Sequence, residues 1–179
     1  VLAEANGLEV YPGFCRDGLP RGVAPRSWRF KMPKAQALVW DDRIQGMQSM
    51  AREAVGDVTV LRADGHWAYH LAVVVDDAEQ SITDVVRGAD LLSSTGAHVA
   101  LQQALNVVTP RYAHVPVMQN NQGQKLSKQT KAAPVEVKNA SQVLSKVFEH
   151  LHLNGIAHEG LDHPEVMLNK ALSLIHISE

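Results

Sequence analysis

The sequence predicts an α/β fold with a parallel sheet, and three segments carry this prediction. Residues 71–75 form a continuous apolar run, residues 94–106 form an amphipathic segment, and residues 112–118 have strand character. A strand that is apolar on both faces is typical of the centre of a parallel sheet, because helices cover both of its sides. The order strand, helix, strand is a βαβ unit, which joins parallel strands.

The amino-acid composition limits the kinds of protein to which the chain can belong. The chain has 179 residues, 45% of them apolar, which suits one globular domain or part of a larger one. The 17 basic and 19 acidic residues nearly balance, so any contact with RNA must use a local patch. The single cysteine, Cys15, fits a reducing compartment, and no apolar run is long enough to span a bilayer. We expect a cytoplasmic monomer with no DNA or membrane partner.

The N-terminal third contains irregular chain and short strands. Residues 1–26 are interrupted too often by proline and glycine to form a long helix or strand. Residues 27–62 are β-rich, with strand-like text at residues 28–30, 37–40 and 58–61. Asp41 and Asp42 are interpreted as a turn between strands.

Residues 63–130 carry the predicted βαβ unit. The strand at residues 71–75 precedes a short extended segment at residues 82–87. Ser93, Ser94 and Thr95 offer N-cap oxygens to a helix that runs to about residue 106. The strand at residues 112–118 then leads into a polar turn at residues 120–123.

The C-terminal part is predicted to be helical. Asn139 or Ser141 can cap a helix whose apolar residues recur at helical spacing, and Asp162 followed by Pro164 indicates the start of another. We therefore treat residues 131–171 as a helical appendage. Residues 172–179 look like one reading frame of a sequencing-library adapter, although a short natural apolar tail is the alternative. Because the chain also begins with Val1, we expect neither end to be natural.

A lysine loop is the sharpest local feature that could carry chemistry. The text Gly123-Gln-Lys125-Leu-Ser127-Lys128 places two lysines around a Leu-Ser pair, directly after a glycine turn. Each ammonium is a compact charge suited to phosphate oxygens, and such a loop can neutralise charge that develops on a phosphoryl group. The spacing does not match a P-loop. A solvated basic turn is an equally good interpretation of the spacing alone.

Four other side chains are candidate ligands. Arg87, followed by Gly88, is suited to binding a carboxylate through two N–H groups, although a surface ion pair is the simpler interpretation. Tyr69 precedes the apolar run and is either a ligand contact or a core residue. Tyr11 and Cys15 are close in sequence, but one thiolate cannot build a structural zinc site, which normally needs four ligands.

Four ordered motifs together resemble a known family. They are the text from Asp64 to Asp77 (DGHWAYHLAVVVDD), Ile82 to Leu92 (ITDVVRGADLL), Tyr112 to Pro116 (YAHVP) and Gly123 to Gln129 (GQKLSKQ). These segments resemble the glutamyl-tRNA synthetases of the class I aminoacyl-tRNA synthetases, and most closely the shorter glutamyl-Q tRNA(Asp) synthetases. The lysine loop is similar to the class I "KMSKS" loop. The resemblance spans about residues 8–155.

The resemblance implies a fold and a reaction. It implies an enzyme that activates glutamate with ATP and Mg²⁺ and transfers the glutamyl group to tRNA. Tyr69 and Arg87 would hold glutamate in one cleft, Lys128 would contact ATP, and Lys125 and Ser127 would belong to the same catalytic loop. Residues 63–130 would be the second half of a Rossmann-type nucleotide-binding fold. Residues 1–26 would be a remnant of the family's zinc-binding insertion.

The sequence departs from the family pattern in several ways. No "HIGH"-type motif occurs in it, and the cysteine pair that would complete a Zn²⁺ site with Tyr11 and Cys15 is absent. His98 stands where we expect a glutamine. We therefore expect this chain alone to be inactive and to bind no zinc. Gln129 favours the glutamyl-Q subfamily with tRNA(Asp) as partner; the alternatives are a standard glutamyl-tRNA synthetase and a non-catalytic tRNA-binding module.

Overall fold

A computed structural model describes residues 3–5, 8–127, 131–153 and 163–175. The chain divides into two compact units, residues 1–115 and 116–179, and each is described by itself. Lys128, Gln129 and Asp162 lie outside the described residues. The strands are β1 (Ala3–Ala5), β2 (Leu8–Val10), β3 (Trp28–Phe30), β4 (Leu38–Asp42), β5 (Gly46–Met50), β6 (Val58–Leu61), β7 (Asp84–Gly88) and β8 (Arg111–Val115). The helices are α1 (Arg52–Val55), α2 (Tyr69–Glu79), α3 (Leu92–Leu105), α4 (Ala140–His150) and α5 (Pro164–Ile175).

The main sheet of the first unit has four strands in the order β5-β4-β8-β7. Strands β7 and β8 pair in parallel with α3 between them in the chain. A βαβ unit is therefore present, but its first strand is β7 and not the predicted strand at residues 71–75. Strand β4 pairs in parallel with β8, and β5 runs antiparallel to β4. The fold is therefore α/β with a mixed sheet, whose parallel strands end at one edge.

The prediction of a central strand at residues 71–75 was wrong, because this run lies inside α2. Five consecutive apolar residues fit either a buried strand or a buried helix turn, and periodicity cannot separate the two. In α2 only Val74 is fully buried, while Val75 on the next position is 43% exposed. The two central positions in the sheet are taken by β4 and β8 instead.

Helix α3 begins at Leu92, slightly before the predicted cap residues. No side chain caps its first turn; the hydroxyls of Ser94 and Thr95 instead donate to the carbonyl of Leu91, at 2.7 and 3.3 Å. The helix packs on the sheet, and the core joins its apolar residues to those of β4 and β8. This core contains Leu38, Trp40, Ala97, Val99, Ala100, Leu101 and Tyr112.

The remaining elements of the first unit are small. Strands β3 and β6 pair antiparallel, as do β1 and β2, which confirms the strand predictions at residues 28–30 and 58–61. Asp42, which was interpreted as part of a turn, is the last residue of β4. No described helix is both long and apolar enough to cross a membrane.

The second unit contains a turn and two helices. Asn120 closes the turn, because its side-chain oxygen accepts the backbone N–H groups of Gln122 and Gln124, each at 2.9 Å. Gly123 has a φ of +74°, a conformation that glycine adopts without strain. Helices α4 and α5 lie where two helices were predicted and share a small apolar cluster formed by Phe148, Met167 and Ala171.

Candidate glutamate site

Polar side chains gather where the parallel strands of the main sheet end. Asp42 is the last residue of β4, while Arg87 and His114 each stand one residue before the end of β7 and β8. In open α/β sheets ligands bind outside the carboxyl ends of the strands. The side chains at this edge are therefore the candidate site.

Arg87 is the centre of this cluster. Its Nε donates to Nε2 of His114 at 3.0 Å, and its Nη2 donates to the hydroxyl of Thr95 at 2.8 Å and to the carbonyl of Leu91 at 3.5 Å. Its Nη1 lies 3.3 Å from Nδ1 of His98. These contacts occupy four of the five N–H groups of the guanidinium. Among the described residues, one Nη1 N–H is left for a ligand.

The hydrogen-bond partners that the structure gives Arg87 within the described part of the chain are neutral groups. Its partners there are imidazoles, a hydroxyl and a backbone carbonyl, and none is a carboxylate. Asp84, which lies three residues before Arg87 in the sequence, accepts from Arg111 at 2.6 Å. A half-buried cation without a carboxylate partner favours binding of an anion.

Asp42 holds His114 in its position within the cluster. Its Oδ2 lies 2.5 Å from Nδ1 of His114, and its Oδ1 accepts backbone N–H groups from Ile44, Gln45 and His114, at 3.1, 2.9 and 3.1 Å. Burial raises the pKa of this carboxyl, but the hydrogen bonds from His114 and the three N–H groups outweigh burial and lower the pKa to about 2. Asp42 is therefore a carboxylate that fixes the orientation of His114.

Two further aromatic rings surround His98. Nδ1 of His70 lies 3.0 Å from Nε2 of His98, and the ring of Tyr69 lies 6.0 Å from that of His98. Tyr69 is 56% exposed, whereas His98 is 1% exposed. Tyr69 and Arg87 thus both neighbour the same imidazole.

The sequence analysis missed four members of this cluster, namely Asp42, His70, Thr95 and His114. Asp42 and His114 are 72 positions apart, and only the pairing of β4 with β8 brings them together. One signal was available: in a strand with alternating burial, a histidine on the buried face is a polar group that needs a partner.

The predicted metal ligands lie close together but offer an incomplete donor set. The backbone N–H of Cys15 donates to the hydroxyl of Tyr11 at 2.7 Å, and the guanidinium of Arg29 lies 4.1 Å from the Tyr11 ring centre. Among the residues that the structure describes, no group of three or more histidine, cysteine, aspartate or glutamate side chains can hold a metal ion. These residues do not fit the four-ligand shell of a structural zinc.

The lysine loop belongs to the second unit. Lys125 is exposed and forms an isolated antiparallel bridge with Gln119, while the N–H of Leu126 donates to the carbonyl of Met118 at 2.8 Å. Ser127 is half-buried. Lys128, which the resemblance assigns to ATP, lies outside the described residues.

Comparison with known proteins decides the family. Residues 21–171 match the family model described as tRNA synthetases class I (E and Q), catalytic domain. The chain belongs to this family. The match covers both the cluster around Arg87 and the lysine loop, so the resemblance drawn from four short motifs is confirmed.

Several similar relatives are glutamyl-Q tRNA(Asp) synthetases. The glutamyl-Q tRNA(Asp) synthetase of Janthinobacterium sp. (strain Marseille) is 48% identical over 156 residues, which is 84% of this chain and 53% of that protein. Those of Ralstonia nicotianae and Aromatoleum aromaticum are 52% and 55% identical, over 80% and 73% of this chain and 46% and 41% of the relatives. The chain therefore spans about half the length of the curated relatives it matches.

Solved structures agree with this assignment. The glutamate tRNA ligase of Elizabethkingia meningosepticum, crystallised in complex with its amino acid, matches with a TM-score of 0.52 and 36% identity. The match covers 56% of this chain and 20% of that one. The glutamate-tRNA synthetase of Elizabethkingia anophelis matches with the same score and identity, and the match covers 21% of that chain.

Proposed function

We propose that the full-length protein containing this chain activates glutamate with ATP and transfers the glutamyl group to the queuosine base of tRNA(Asp). The observation that carries the proposal is Arg87, a half-buried guanidinium whose partners within the described residues are all neutral. The identity of 48–55% to glutamyl-Q tRNA(Asp) synthetases over most of the chain supports the choice of acceptor.

In this proposal Arg87 and Tyr69 bind the amino acid. The remaining Nη1 N–H of Arg87 donates to a glutamate carboxylate, and a second N–H becomes available if the 3.5 Å contact to Leu91 opens. Charge-assisted hydrogen bonds of this kind contribute about 1.5–3 kcal/mol each. Tyr69, which is exposed, would contact the same ligand through its hydroxyl, because both residues border His98.

The lysine loop would serve the nucleotide. An oxygen of the glutamate α-carboxylate attacks the α-phosphorus of ATP, the bond to pyrophosphate breaks, and glutamyl-adenylate forms. Lys125 and Lys128 would stabilise the charge that develops on the phosphates, and Ser127 would hold the loop between them. Mg²⁺ bound with ATP would supply further positive charge to its phosphates. A nucleophilic oxygen of the tRNA then attacks the acyl carbon, and AMP leaves.

Two segments complete the proposal. We assign residues 1–26 to part of a zinc-binding insertion and residues 131–171 to a helical appendage. The short distance between Cys15 and Tyr11 supports the first assignment, with the missing ligands supplied by the rest of the full-length protein. The isolated chain should not form adenylate, because its sequence has no HIGH-type motif, which the family resemblance assigns to the other half of the nucleotide site.

The test is glutamate-dependent exchange between ATP and pyrophosphate in the full-length protein without tRNA. We expect exchange in the wild type. Arg87→Ala should raise the glutamate KM by roughly 10- to 100-fold, the equivalent of one or two charge-assisted hydrogen bonds. Lys128→Ala should lower kcat more than it raises that KM, because its charge acts on the transition state.

The matched control is Arg111→Ala, which removes an exposed arginine from the neighbouring strand and breaks only its pair with Asp84. It should leave both constants near wild type. Exchange that appears only after tRNA is added would favour the standard glutamyl-tRNA synthetase, an alternative supported by the two similar ligase structures. Wild-type kinetics in Arg87→Ala would refute the assigned glutamate site.

A further inference from the structure

His98 connects two side chains of the candidate site through the two nitrogens of one ring. It lies in the middle of α3 with 1% of its surface exposed. Its Nδ1 faces the guanidinium of Arg87 at 3.3 Å, and its Nε2 faces Nδ1 of His70 at 3.0 Å. A buried ring with a partner on each nitrogen has little freedom to reorient.

The positions of the protons on the histidine rings follow from the hydrogen bonds of Arg87. A guanidinium can only donate, so Nδ1 of His98 must accept and carries no proton. The ring of a neutral His98 then has its proton on Nε2, and it donates to Nδ1 of His70. The same logic on the other side makes Nε2 of His114 an acceptor from Arg87 and Nδ1 of His114 a donor to Asp42. The four contacts that connect His70, His98, Arg87, His114 and Asp42 in series are thereby assigned a direction.

We propose that His98 is a positioning residue, which holds Arg87 and His70 in the glutamate-binding arrangement by offering one acceptor and one donor from a neutral ring. This inference rests on the proposed function for its ligand, and on geometry alone for the state of the ring. An amide side chain carries the same pair of groups, an acceptor oxygen and a donor nitrogen. The proposal therefore also explains why a glutamine is expected at this position from the family resemblance.

The surroundings of His98 favour the neutral ring. The groups that face it are Arg87 from β7, His114 from β8, and His70 and Tyr69 from α2. Burial, and then the positive charge of Arg87, lower the pKa of His98 to about 3, and the two other histidines act in the same direction. A second proton, on Nδ1, would remove the acceptor that Arg87 uses and would turn the ring into a cation facing the guanidinium.

The activity test compares three variants of the full-length protein. His98→Leu removes both hydrogen-bonding groups and should raise the glutamate KM in the exchange assay by roughly 10- to 100-fold, with the ATP KM and kcat changed less. His98→Gln keeps one acceptor and one donor and should stay within about threefold of wild type. The control Gln103→Ala removes an exposed side chain of the same helix, which accepts from Arg52 at 2.8 Å, and it should leave the glutamate KM at the wild-type value. The proposal would be overturned by equal glutamate KM values in wild type and His98→Leu. It would also be overturned if His98→Leu and His98→Gln raised the glutamate KM equally.

A second measurement does not depend on activity. In the ¹⁵N-labelled 179-residue chain, imidazole nitrogen shifts report which ring nitrogen carries the proton. We expect His98 to be neutral with its proton on Nε2 from pH 5 to pH 8. A proton on Nδ1, or a cationic ring in that range, would overturn the inference whatever the substrate. If wild type shows no glutamate-dependent exchange, the proposed function fails, and the proton position alone then decides the inference.

Discussion

The buried histidines should make the stability of this protein depend on pH in a way that one substitution removes. The unfolded chain binds a proton at His98 below its ordinary pKa of 6.5, whereas burial and Arg87 lower the folded value to about 3. The contribution of neutral His98 to the free energy of unfolding is therefore complete above pH 6.5, and it is lost progressively as the pH falls toward 3. Each pH unit in that window costs about 1.4 kcal/mol, so acidification from 6.5 to 5 should cost about 2 kcal/mol from His98 alone.

His70 acts in the same direction, because burial and the charge of Arg87 lower its pKa as well. The assay is urea unfolding of the 179-residue chain, followed by circular dichroism at intervals from pH 7.5 to pH 5. His98→Gln should lower the slope of the free energy of unfolding against pH by the equivalent of about one proton, because glutamine does not titrate. The control His66→Gln replaces a histidine whose side chain is 80% exposed and lies 3.4 Å from the carboxylate of Asp64, and it should change the slope much less than His98→Gln does. Equal slopes in wild type and His98→Gln would refute the reasoning.

Two further pairs of substitutions test the anchor of the site and a tightly packed glycine elsewhere in the first unit. Asp42→Asn should lower the free energy of unfolding by about 2–4 kcal/mol, because its amide places a donor against the donating Nδ1 of His114; Asp41→Asn, exposed on the same strand, should cost little in the same denaturation experiment. Gly56→Ala should cost more than Gly65→Ala in thermal unfolding: both have positive φ, at +68° and +83°, but a Cβ meets a methyl carbon at 2.5 Å only at position 56. Equal costs within either pair would contradict these accounts.

Local sequence patterns predicted much of the architecture. The strands β3, β6, β7 and β8 and the helix α3 follow from alternation, β-branched residues and apolar spacing. The failure at residues 71–75 is instructive, because a run without polar interruptions carries no period. Its place in α2 depends on packing against α3, which a local pattern does not contain.

The candidate site was predictable only where family motifs pointed to it. Arg87 and Tyr69 came from the resemblance, since an arginine followed by a glycine is ambiguous by itself. Asp42 and His114 could not be found, because the signal for each is the other residue, 72 positions away. The pairing of β4 with β8 sets that contact, and the sheet order is a tertiary property.

The central claim is that glutamate activated at the Arg87 site goes to the queuosine base of tRNA(Asp). It is tested most directly by transfer of labelled glutamate by the full-length protein to three purified acceptors: tRNA(Asp) with queuosine, tRNA(Asp) without it, and tRNA(Glu). We predict label on the first acceptor alone, and loss of that label in Arg87→Ala at subsaturating glutamate. Label on tRNA(Glu), with none on queuosine-containing tRNA(Asp), would contradict the account.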